Sequence, residues 1–335
     1  MLVQYVDDMG IAAKTRKELD NFVQELREED LTLTQEETFS EFLGIKFEER
    51  PDGSFEMTQR GLIDKILDTA NMNDCNPNAL PAPQAALGKD ESGEPMDEKW
   101  NYRAIVGMLL YLSTNTRCDI AFAVSQIARF SANPKKSHAT AVKTLLRYLK
   151  KTRDKGTIVK PTKHLHLDLY VDADFAGLFK REDDRDPDSV RSRTGYVISL
   201  SDWPLVWKST LQTHLSQSTL EAEYSSCSYA LKTLLPLKSL IEEMIENTDN
   251  TVLEDTTVYA TVFEDNMGAY YLATNQRITN RTKYFQVKWH WFWEKYNEGL
   301  FRVVKCPTDE MRADFLTKML TKDKFENNRR AVLGW

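Results

Sequence analysis

The sequence has few cysteines and no long apolar run. Its four cysteines are far apart and form no CxxC pair, so neither a disulfide framework nor a zinc site is indicated. No apolar stretch reaches the about 20 residues that cross a bilayer, and the N-terminus carries no signal-peptide pattern. We therefore expect a globular protein of a reducing compartment that has no membrane partner.

A net positive charge is also absent, because the formal net charge of the 335 residues is −7 at pH 7. That average argues against a nucleic-acid-binding protein. It conceals a local excess, since residues 135–163 contain ten Lys or Arg and a single acidic residue, Asp154. The charge of this segment, unlike that of the whole chain, is compatible with a polyanionic partner.

Part of this excess forms a row of side chains, here called the basic stripe, beside the apolar face of a helix predicted over residues 138–151. Its members are Lys136, Lys143, Arg147 and Lys150. Such a row is either a solvated charged face or a surface that contacts nucleic-acid phosphates. The lack of compensating acidic residues favours phosphate contacts, which position a nucleic acid without reading its sequence.

The hydrophobic pattern divides the chain into a mixed first part, a helical middle and an α/β last part. The first part predicts two hairpins and two helices, at residues 1–13, 17–29, 39–58 and 59–71. Residues 71–98, where Pro, Asn, Gly and Asp crowd together, predict a long surface linker. The middle predicts three helices, over residues 102–114, 119–132 and 138–151. From residue 165 onward, three strands precede alternating helices and strands, which predicts an α/β domain with a mixed sheet.

Two acidic residues of this last part stand at the ends of predicted elements. Asp172 closes a strand in which apolar and polar residues alternate, and there it either serves a site or decorates a solvated face. Glu221 stands in Ser-Thr-Leu-Glu, a spacing that also fits a helix capping box, in which the carboxylate only satisfies a backbone N–H. Both residues are candidates for chemistry with a structural alternative.

Two further acidic residues follow. Asp265 lies between a strand and a helix, where Asp is also a natural N-cap. Asp314 lies within a helix predicted over residues 309–320, although Asp is a poor helix former. Its structural alternative is an ion pair with Lys318 at i+4, worth only a few tenths of a kcal/mol. A locally unfavourable acid between apolar neighbours more often marks a site.

Convergence of these four carboxylates would be costly without a cation. Two unit charges about 4 Å apart repel by about 4 kcal/mol at an effective dielectric constant near 20. Magnesium suits sites made of carboxylates, water and substrate phosphates. Two such ions about 3.5–4 Å apart would activate a water and stabilise the leaving oxygen in phosphodiester hydrolysis. The acidic residues therefore predict a two-metal hydrolytic site.

Taken together, the motifs resemble the C-terminal part of the polyprotein of copia-type LTR retrotransposons, in which the end of reverse transcriptase precedes ribonuclease H. For the polymerase part, the resemblance rests on Tyr5-Val6-Asp7-Asp8 and Phe42-Leu43-Gly44-Ile45. For the connecting helices, it rests on Thr116-Arg117-Cys118-Asp119 and Leu146-Arg147-Tyr148-Leu149-Lys150. For the ribonuclease H part, the resemblance rests on five segments, which are Asp172-Ala173-Asp174-Phe175, Thr194-Gly195-Tyr196-Val197, Glu221-Ala222-Glu223-Tyr224, Glu264-Asp265-Asn266 and Ala313-Asp314-Phe315-Leu316.

The resemblance implies a ribonuclease H-like α/β domain with a mixed five-stranded sheet, preceded by a partial palm and thumb and a helical connection. The implied boundaries are residues 1–75 for the polymerase remnant, 76–98 for a linker, 99–160 for the connection and 161–335 for ribonuclease H. The implied metal-binding and catalytic carboxylates are Asp172, Glu221, Asp265 and Asp314, with two Mg²⁺, or Mn²⁺ in their place. The implied substrate is an RNA–DNA hybrid, and the implied location is a cytoplasmic virus-like particle or the nucleus.

The sequence also departs from this family. The polymerase site needs a third aspartate from an earlier strand, so we expect Asp7 and Asp8 to form an incomplete site that depends on an upstream segment. Cys118 replaces a usual proline, and Tyr284 and Gln286 replace a common His and Asp. The alternative function is therefore a catalytically inactive nucleic-acid-binding remnant.

Overall fold

The structure of the chain is a computed structural model. It describes residues 1–29, 31–36, 38–83, 87–97, 99–162, 164–179, 186–247, 257–276 and 286–335. Across these ranges, no helix combines the length and the apolar character needed to cross a bilayer.

The C-terminal half is built on a five-stranded sheet. Its strands are β7 (His166–Asp174), β8 (Arg193–Leu200), β9 (Trp203–Leu211), β10 (Tyr259–Glu264) and β11 (Arg302–Lys305), in the spatial order β11-β10-β7-β8-β9. The strands β7, β8 and β9 run antiparallel, whereas β10 is parallel to both β7 and β11. The predicted mixed five-stranded sheet is thus confirmed, with β7 at its centre.

Both faces of this sheet are covered. One face packs against α6 (Thr219–Glu246), α7 (Met267–Asn275) and α8 (Gln286–Asn297), through an apolar cluster to which Leu167 and Leu169 of β7 belong. The other face, on which Tyr170 lies, packs against a second cluster formed with α3 (Tyr102–Asn115), α4 (Ala121–Ala128) and α5 (Lys136–Lys151). The alternation of β7 therefore separates two buried faces rather than a buried and a solvated one.

The end of the chain differs from the predicted helix over residues 309–320. The structure has short 3₁₀ turns at Thr308–Glu310 and Asp314–Leu316, and the α-helix, α9, begins later and spans Lys322–Leu333. Residues 313–317 are all buried. An α-helix offers the core only one stripe of its surface, so a segment with five consecutive buried residues adopts a tighter and less regular path.

The N-terminal part contains a hairpin and a smaller sheet. The hairpin joins β1 (Leu2–Tyr5) to β2 (Asp8–Ile11) and is followed by α1 (Arg16–Glu28). The smaller sheet has the order β3-β4-β5-β6, with β3 (Glu41–Phe42), β4 (Ile45–Glu49), β5 (Phe55–Thr58) and β6 (Thr157–Val159), and α2 (Arg60–Thr69) follows β5. The hairpin predicted over residues 39–58 has three strands instead of two, because the chain also turns at Leu43 and Gly44, whose φ angles are 52° and 72°.

The segment predicted as a surface linker, residues 71–98, is irregular but packed. Met72 and Pro81 are buried, and the backbone N–H of Asn78 donates to the carbonyl of Arg147 at 3.2 Å. A second contact joins the His138 ring to the carbonyl of Gly88 at 2.7 Å. The segment therefore lies along α5 and shares its core instead of separating two bodies. The predicted domain boundaries remain predictions.

A buried polar network fastens the last residues of the chain to the connecting helices. The Arg117 guanidinium, 0% exposed, donates to both carboxylate oxygens of Asp119 at 2.9 and 2.8 Å. The Tyr148 hydroxyl also donates to Asp119, and the Trp335 ring lies 5.3 Å from the Arg117 guanidinium. The network is buried and joins Trp335, which follows α9, to the connecting helices. It therefore helps to hold α9, and the turns before it, against the face of the sheet on which Tyr170 lies.

Candidate metal centre

Asp172 lies near the end of the central strand, where the alternation of β7 places it. It is 2% exposed, and its Oδ2 accepts a hydrogen bond from the Thr317 hydroxyl. Burial is the main reason why the pKa of Asp172 is raised to about 6, and the carboxylates of Asp314 and Asp265 add to that rise. Lys318 acts in the opposite direction. The carboxylate is therefore both desolvated and surrounded by other acids.

A glycine lets the turn that carries Thr317 approach this strand. Gly195 of β8 is the cross-strand partner of Asp172. A Cβ atom at Gly195 would lie 2.5 Å from Thr317 Cγ2 and 2.8 Å from Leu316 Cβ, closer than side chains pack. Because Gly195 has no side chain, the 3₁₀ turn Asp314–Leu316 and the adjoining Thr317 can pack against Asp172.

We predict that Gly195→Ala destabilises the chain by about 1–3 kcal/mol, because the added methyl group overpacks this contact. Gly107→Ala on α3 is the matched control, since nothing lies within 4 Å of its added Cβ and alanine favours a helix. Denaturant unfolding of both variants tests this. Equal stabilities of the two variants would show that the turn yields without cost.

The helix that follows the sheet contributes Glu223 rather than Glu221. The backbone N–H of Gln217 donates to Glu221 Oε2 at 2.6 Å, and the Ser218 hydroxyl accepts from the Glu221 N–H at 3.2 Å. Glu221 thus helps to cap the start of α6, in which Ser218 is the N-cap. Glu223, 5% exposed, faces Asp172 and Asp265. The structure does not bring Glu221 into this cluster, because its carboxylate turns back to the backbone, and its assignment as a metal ligand stays a prediction.

Sequence periodicity did not distinguish Glu223 from Glu221, because Glu221 stands on a similar row of buried residues with Tyr224, Ser228 and Leu231. Glu223, Cys227, Ala230 and Leu234 recur at helical spacing and are all buried. Residues two apart on a helix point about 200° away from each other. Glu221 and Glu223 therefore cannot both point at Asp172, and since residues 221–228 are all buried, the packing of α6 on the sheet decides which one does.

Asp265 lies where β10 ends, and it is not the helix cap. That role belongs to Asn266, whose side chain accepts from the Ala269 N–H at 3.1 Å. The preceding residue, Glu264, is 1% exposed and accepts from the Asn266 N–H at 2.9 Å and from the Cys227 thiol at 3.0 Å. Burial raises the pKa of Glu264 to about 8. The end of β10 thus brings a second buried acid next to Asp265.

Three carboxylates converge at this end of the sheet. One oxygen from each of Asp172, Glu223 and Asp265 lies within 4.8 Å of the other two. Burial, and then the charges of Glu264, Asp172 and Asp265, raise the pKa of Glu223 well above its usual range. Two of the four sequence candidates, Asp172 and Asp265, are therefore brought together, with Glu223 as the third member.

Asp314 lies beside this cluster and pairs with a lysine. The Lys318 Nζ is 2.9 Å from Asp314 Oδ1 and 3.5 Å from Asp172 Oδ2. The ion pair considered from the sequence is present, but it includes Asp172 as well. Burial raises the pKa of Asp314, while Lys318 lowers it. The assignment of Asp314 as a metal ligand remains a prediction.

The residues at this site fit divalent cations. Their potential metal ligands are carboxylate oxygens, which Mg²⁺ and Mn²⁺ commonly bind. Glu223 Oε2 is buried and has no hydrogen-bond partner among the described residues. Lys318 already places a positive charge between Asp172 and Asp314. A buried group of acids with an unsatisfied oxygen is stabilised by a cation and destabilised without one.

The other sequence candidates lie elsewhere. Asp7 and Asp8 are exposed at the tip of the first hairpin, where Tyr5 pairs with Asp8 and Val6 turns the chain with a φ angle of 51°. The sequence pattern predicts a turn that contains both aspartates and Gly10, but Asp8 begins β2 and Gly10 lies within that strand. Tyr284 and the side chain of Gln286 lie outside the described residues.

The basic stripe lies on the outer side of α5. Arg147 and Lys136 are exposed, whereas Lys143 and Lys150 are half-buried. Lys136 Nζ lies 2.7 Å from Glu94 Oε2. The amphipathic helix is confirmed, and the role of its basic side chains in nucleic-acid binding remains a prediction.

Comparison with protein families and curated sequences identifies relatives over almost the whole chain. The family described as reverse transcriptase (RNA-dependent DNA polymerase) matches residues 1–84. The Pol polyprotein from transposon RE1 of Arabidopsis thaliana is 33% identical over 98% of this chain. That from transposon TNT 1-94 of Nicotiana tabacum is 32% identical over 97% of it. The chain spans only 21% and 24% of the lengths of these two relatives.

Solved structures provide more distant matches. A metagenomic ribonuclease H1, LC11-RNase H1, is 16% identical with a TM-score of 0.32, over 48% of this chain and 96% of its own. The foamy viral protease-reverse transcriptase, solved in complex with dsDNA, is 13% identical with a TM-score of 0.49, over 92% of this chain and 55% of its own.

Proposed function

Because the chain belongs to the family of Pol polyproteins from copia-type retrotransposons, we propose that its C-terminal half is a metal-dependent ribonuclease H that cuts the RNA strand of an RNA–DNA hybrid. The observation that supports this most is the convergence of Asp172, Glu223 and Asp265 at the end of a mixed sheet. Glu223 takes the position in this proposal that the sequence motif suggested for Glu221.

The proposed roles follow from the positions of the side chains. Asp172, Glu223 and Asp265 would hold divalent ions, with Asp314 at the edge of the site. Bound ions would supply Lewis-acid activation of water and stabilisation of the leaving oxygen. The Thr317 hydroxyl orients Asp172, and Lys318 neutralises part of the acidic charge until a substrate is bound. The two buried faces of β7 keep the central carboxylate from moving.

Hybrid cleavage in Mg²⁺ and in Mn²⁺ tests the proposal. We expect cuts in the RNA strand of an RNA–DNA hybrid and none in the DNA strand. Hybrid binding without cleavage in either metal would instead support the inactive remnant.

We propose that the basic stripe binds the hybrid's phosphates. Replacing Lys143, Arg147 and Lys150 by Ala should weaken hybrid binding and reduce the slope of log K against log salt by about 0.7–0.9 for each phosphate that is no longer neutralised. The rate at saturating hybrid should stay the same, because these side chains are not in the acidic cluster. Binding titrations at several salt concentrations measure the slope.

A variant with Lys322, Lys324 and Arg330 of α9 changed to Ala is the control. These three side chains are exposed, and their removal alters the net charge by the same amount. An equal reduction of slope in the control would show that only overall charge matters. An unchanged slope in the α5 variant would show that the stripe faces solvent.

A further inference from the structure

A cavity of about 190 Å³ lies next to the acidic cluster, between the sheet and α4. It is far larger than the roughly 10–15 Å³ that a single water needs. Its wall includes Phe122 of α4, Asp174 of β7, and the basic residues Arg191, Arg193 and Lys318. Since Lys318 also contacts Asp172, the cavity and the acidic cluster share a wall.

Arg193 is the notable residue of this wall, because it is buried without complete hydrogen bonding. It is 3% exposed, and its Nη1 donates to the hydroxyls of Ser125 and Ser209 at 2.8 and 3.2 Å. Its Nη2 has no hydrogen-bond partner in the described part of the chain. A buried guanidinium whose hydrogen bonds go only to neutral hydroxyls is costly unless an anion completes them.

The guanidinium is held in a fixed position. Its central carbon lies 5.3 Å from the centre of the Phe122 ring, and the two serine hydroxyls fix Nη1 from α4 and β9. Burial, reinforced by the nearby Arg129, lowers the pKa of Arg193 to about 9, so the group is still charged at neutral pH. Preorganised donors of this kind bind an oxyanion without first losing side-chain freedom.

The acidic residues near the cavity already have other contacts. Asp186 lies 2.9 Å from Lys89 Nζ, and Asp188 lies 3.3 Å from Arg191 Nη1. Asp174 is the cross-strand partner of Arg193, and its carboxylate, which lies beside Gly177, raises the pKa of Arg193. The cavity wall has three basic side chains and one acidic side chain. Arg191 and Lys318 already pair with acids, so the buried Nη2 of Arg193 is the group that favours an anionic occupant.

We infer that this cavity is a phosphate subsite in which Arg193 Nη2 and Arg191 bind a backbone phosphate of the nucleic acid. The inference rests on the proposed ribonuclease function and adds a contact outside the metal centre. Arg193 lies opposite Asp174, two residues beyond Asp172, or roughly 7 Å along the strand. The bound phosphate would thus lie close to the acidic cluster.

The position of the subsite suggests how it would act on the substrate. One wall belongs to the connecting helices and the other to the five-stranded sheet, so a phosphate held there would fix the hybrid across both. Such a contact positions the backbone and carries no sequence preference. We therefore expect Arg193 to act on substrate affinity and register rather than on the chemical step.

The test uses the full chain with Glu223→Gln, so that hybrid is bound but not cut, and compares Arg193→Met with Arg312→Met. Arg312, whose guanidinium lies over the Tyr170 ring on the same sheet face, is half-buried and does not line the cavity. We expect Arg193→Met to weaken hybrid binding about tenfold and to reduce the salt slope by about 0.7–0.9. Arg312→Met should leave both unchanged.

Several outcomes would overturn the inference. Unchanged affinity and slope in a folded Arg193→Met protein would do so, and so would an equal reduction in Arg312→Met. If inorganic phosphate raises the melting temperature of the parent but not of Arg193→Met while hybrid binding is unaffected, the cavity takes a small free anion and not a backbone phosphate. If Arg193→Met does not fold, Arg191→Gln decides, and an unchanged slope in that variant refutes the subsite.

The same experiment separates this inference from the proposed activity. Failure of the otherwise unmutated chain to cut hybrid in Mg²⁺ or Mn²⁺ would reject the ribonuclease proposal. A decrease in hybrid affinity on Arg193→Met would still support the phosphate subsite in that case. Conversely, cleavage with no effect of Arg193 on KM would retain the enzyme and remove the subsite.

Discussion

Glu223→Gln should reduce hybrid cleavage at least about 100-fold, more than removal of an outer partner of a metal ligand usually costs. The substitution keeps the size of the side chain but removes the charge of a carboxylate that lies within 4.8 Å of Asp172 and Asp265. Folding should not suffer, because a neutral side chain relieves repulsion in a buried acidic cluster. Single-turnover cleavage in Mg²⁺, with a thermal melt as a check on folding, measures both effects.

Glu221→Gln is the control that makes this result informative. Glu221 accepts a backbone hydrogen bond at the start of α6, and Gln keeps that acceptor. Its replacement should therefore cost only about 0.3–1 kcal/mol, from the lost negative charge at the helix N-terminus, and leave the cleavage rate within a few-fold. The two variants therefore separate a metal ligand from a helix cap two residues away. A larger decrease in activity in Glu221→Gln than in Glu223→Gln would reverse the assignment that the structure supports.

The second large effect is on stability. Without divalent ions, the folded chain should become less stable as the pH rises from about 4 to about 8. Burial raises the pKa of Asp172 to about 6 and that of Glu264 to about 8, whereas unfolded carboxyl groups titrate near 4. Over this range the folded state therefore binds more protons than the unfolded state. The free energy of unfolding then decreases as the pH rises. Asp172 alone would contribute about 3 kcal/mol.

Magnesium should reverse this trend, because it binds the ionised carboxylates of the folded state. The gain in melting temperature from Mg²⁺ over EDTA should be small near pH 5 and reach about 5–10 °C near pH 8. Melting curves at several pH values, with each addition, provide the comparison. A melting temperature in EDTA that rises between about pH 5 and pH 8 would contradict the buried acidic cluster.

Two variants assign the effect to particular residues. Glu223→Gln should lose most of the gain from Mg²⁺. Glu264→Gln should flatten the curve in EDTA near pH 8 but keep the gain, since Glu264 hydrogen-bonds Cys227 and Asn266 and lies outside the three converging oxygens. Equal magnesium responses of the two variants would show that the ions bind elsewhere.

Local sequence patterns predicted much of this architecture. The alternation of residues 165–175 predicted a strand that ends near Asp172, and the order of strands and helices after it predicted the mixed sheet. Both features depend on which side chains point together along one element, and the periods of strand and helix record that in the sequence. The hairpin of Asp7 and Asp8 was predicted for the same reason.

Only the tertiary structure decided the composition of the site. Glu221 and Glu223 both lie in the first turns of α6. Which of them joins the acidic cluster depends on which side of that helix packs on the sheet. Thr317 bonds to Asp172 across 145 positions of sequence, and it reaches it because Gly195 has no side chain. Contacts of this length arise from packing between elements, and the period of a single element does not encode them. The sequence determined where each carboxylate stands on its own strand or helix, and the packing determined which carboxylates meet.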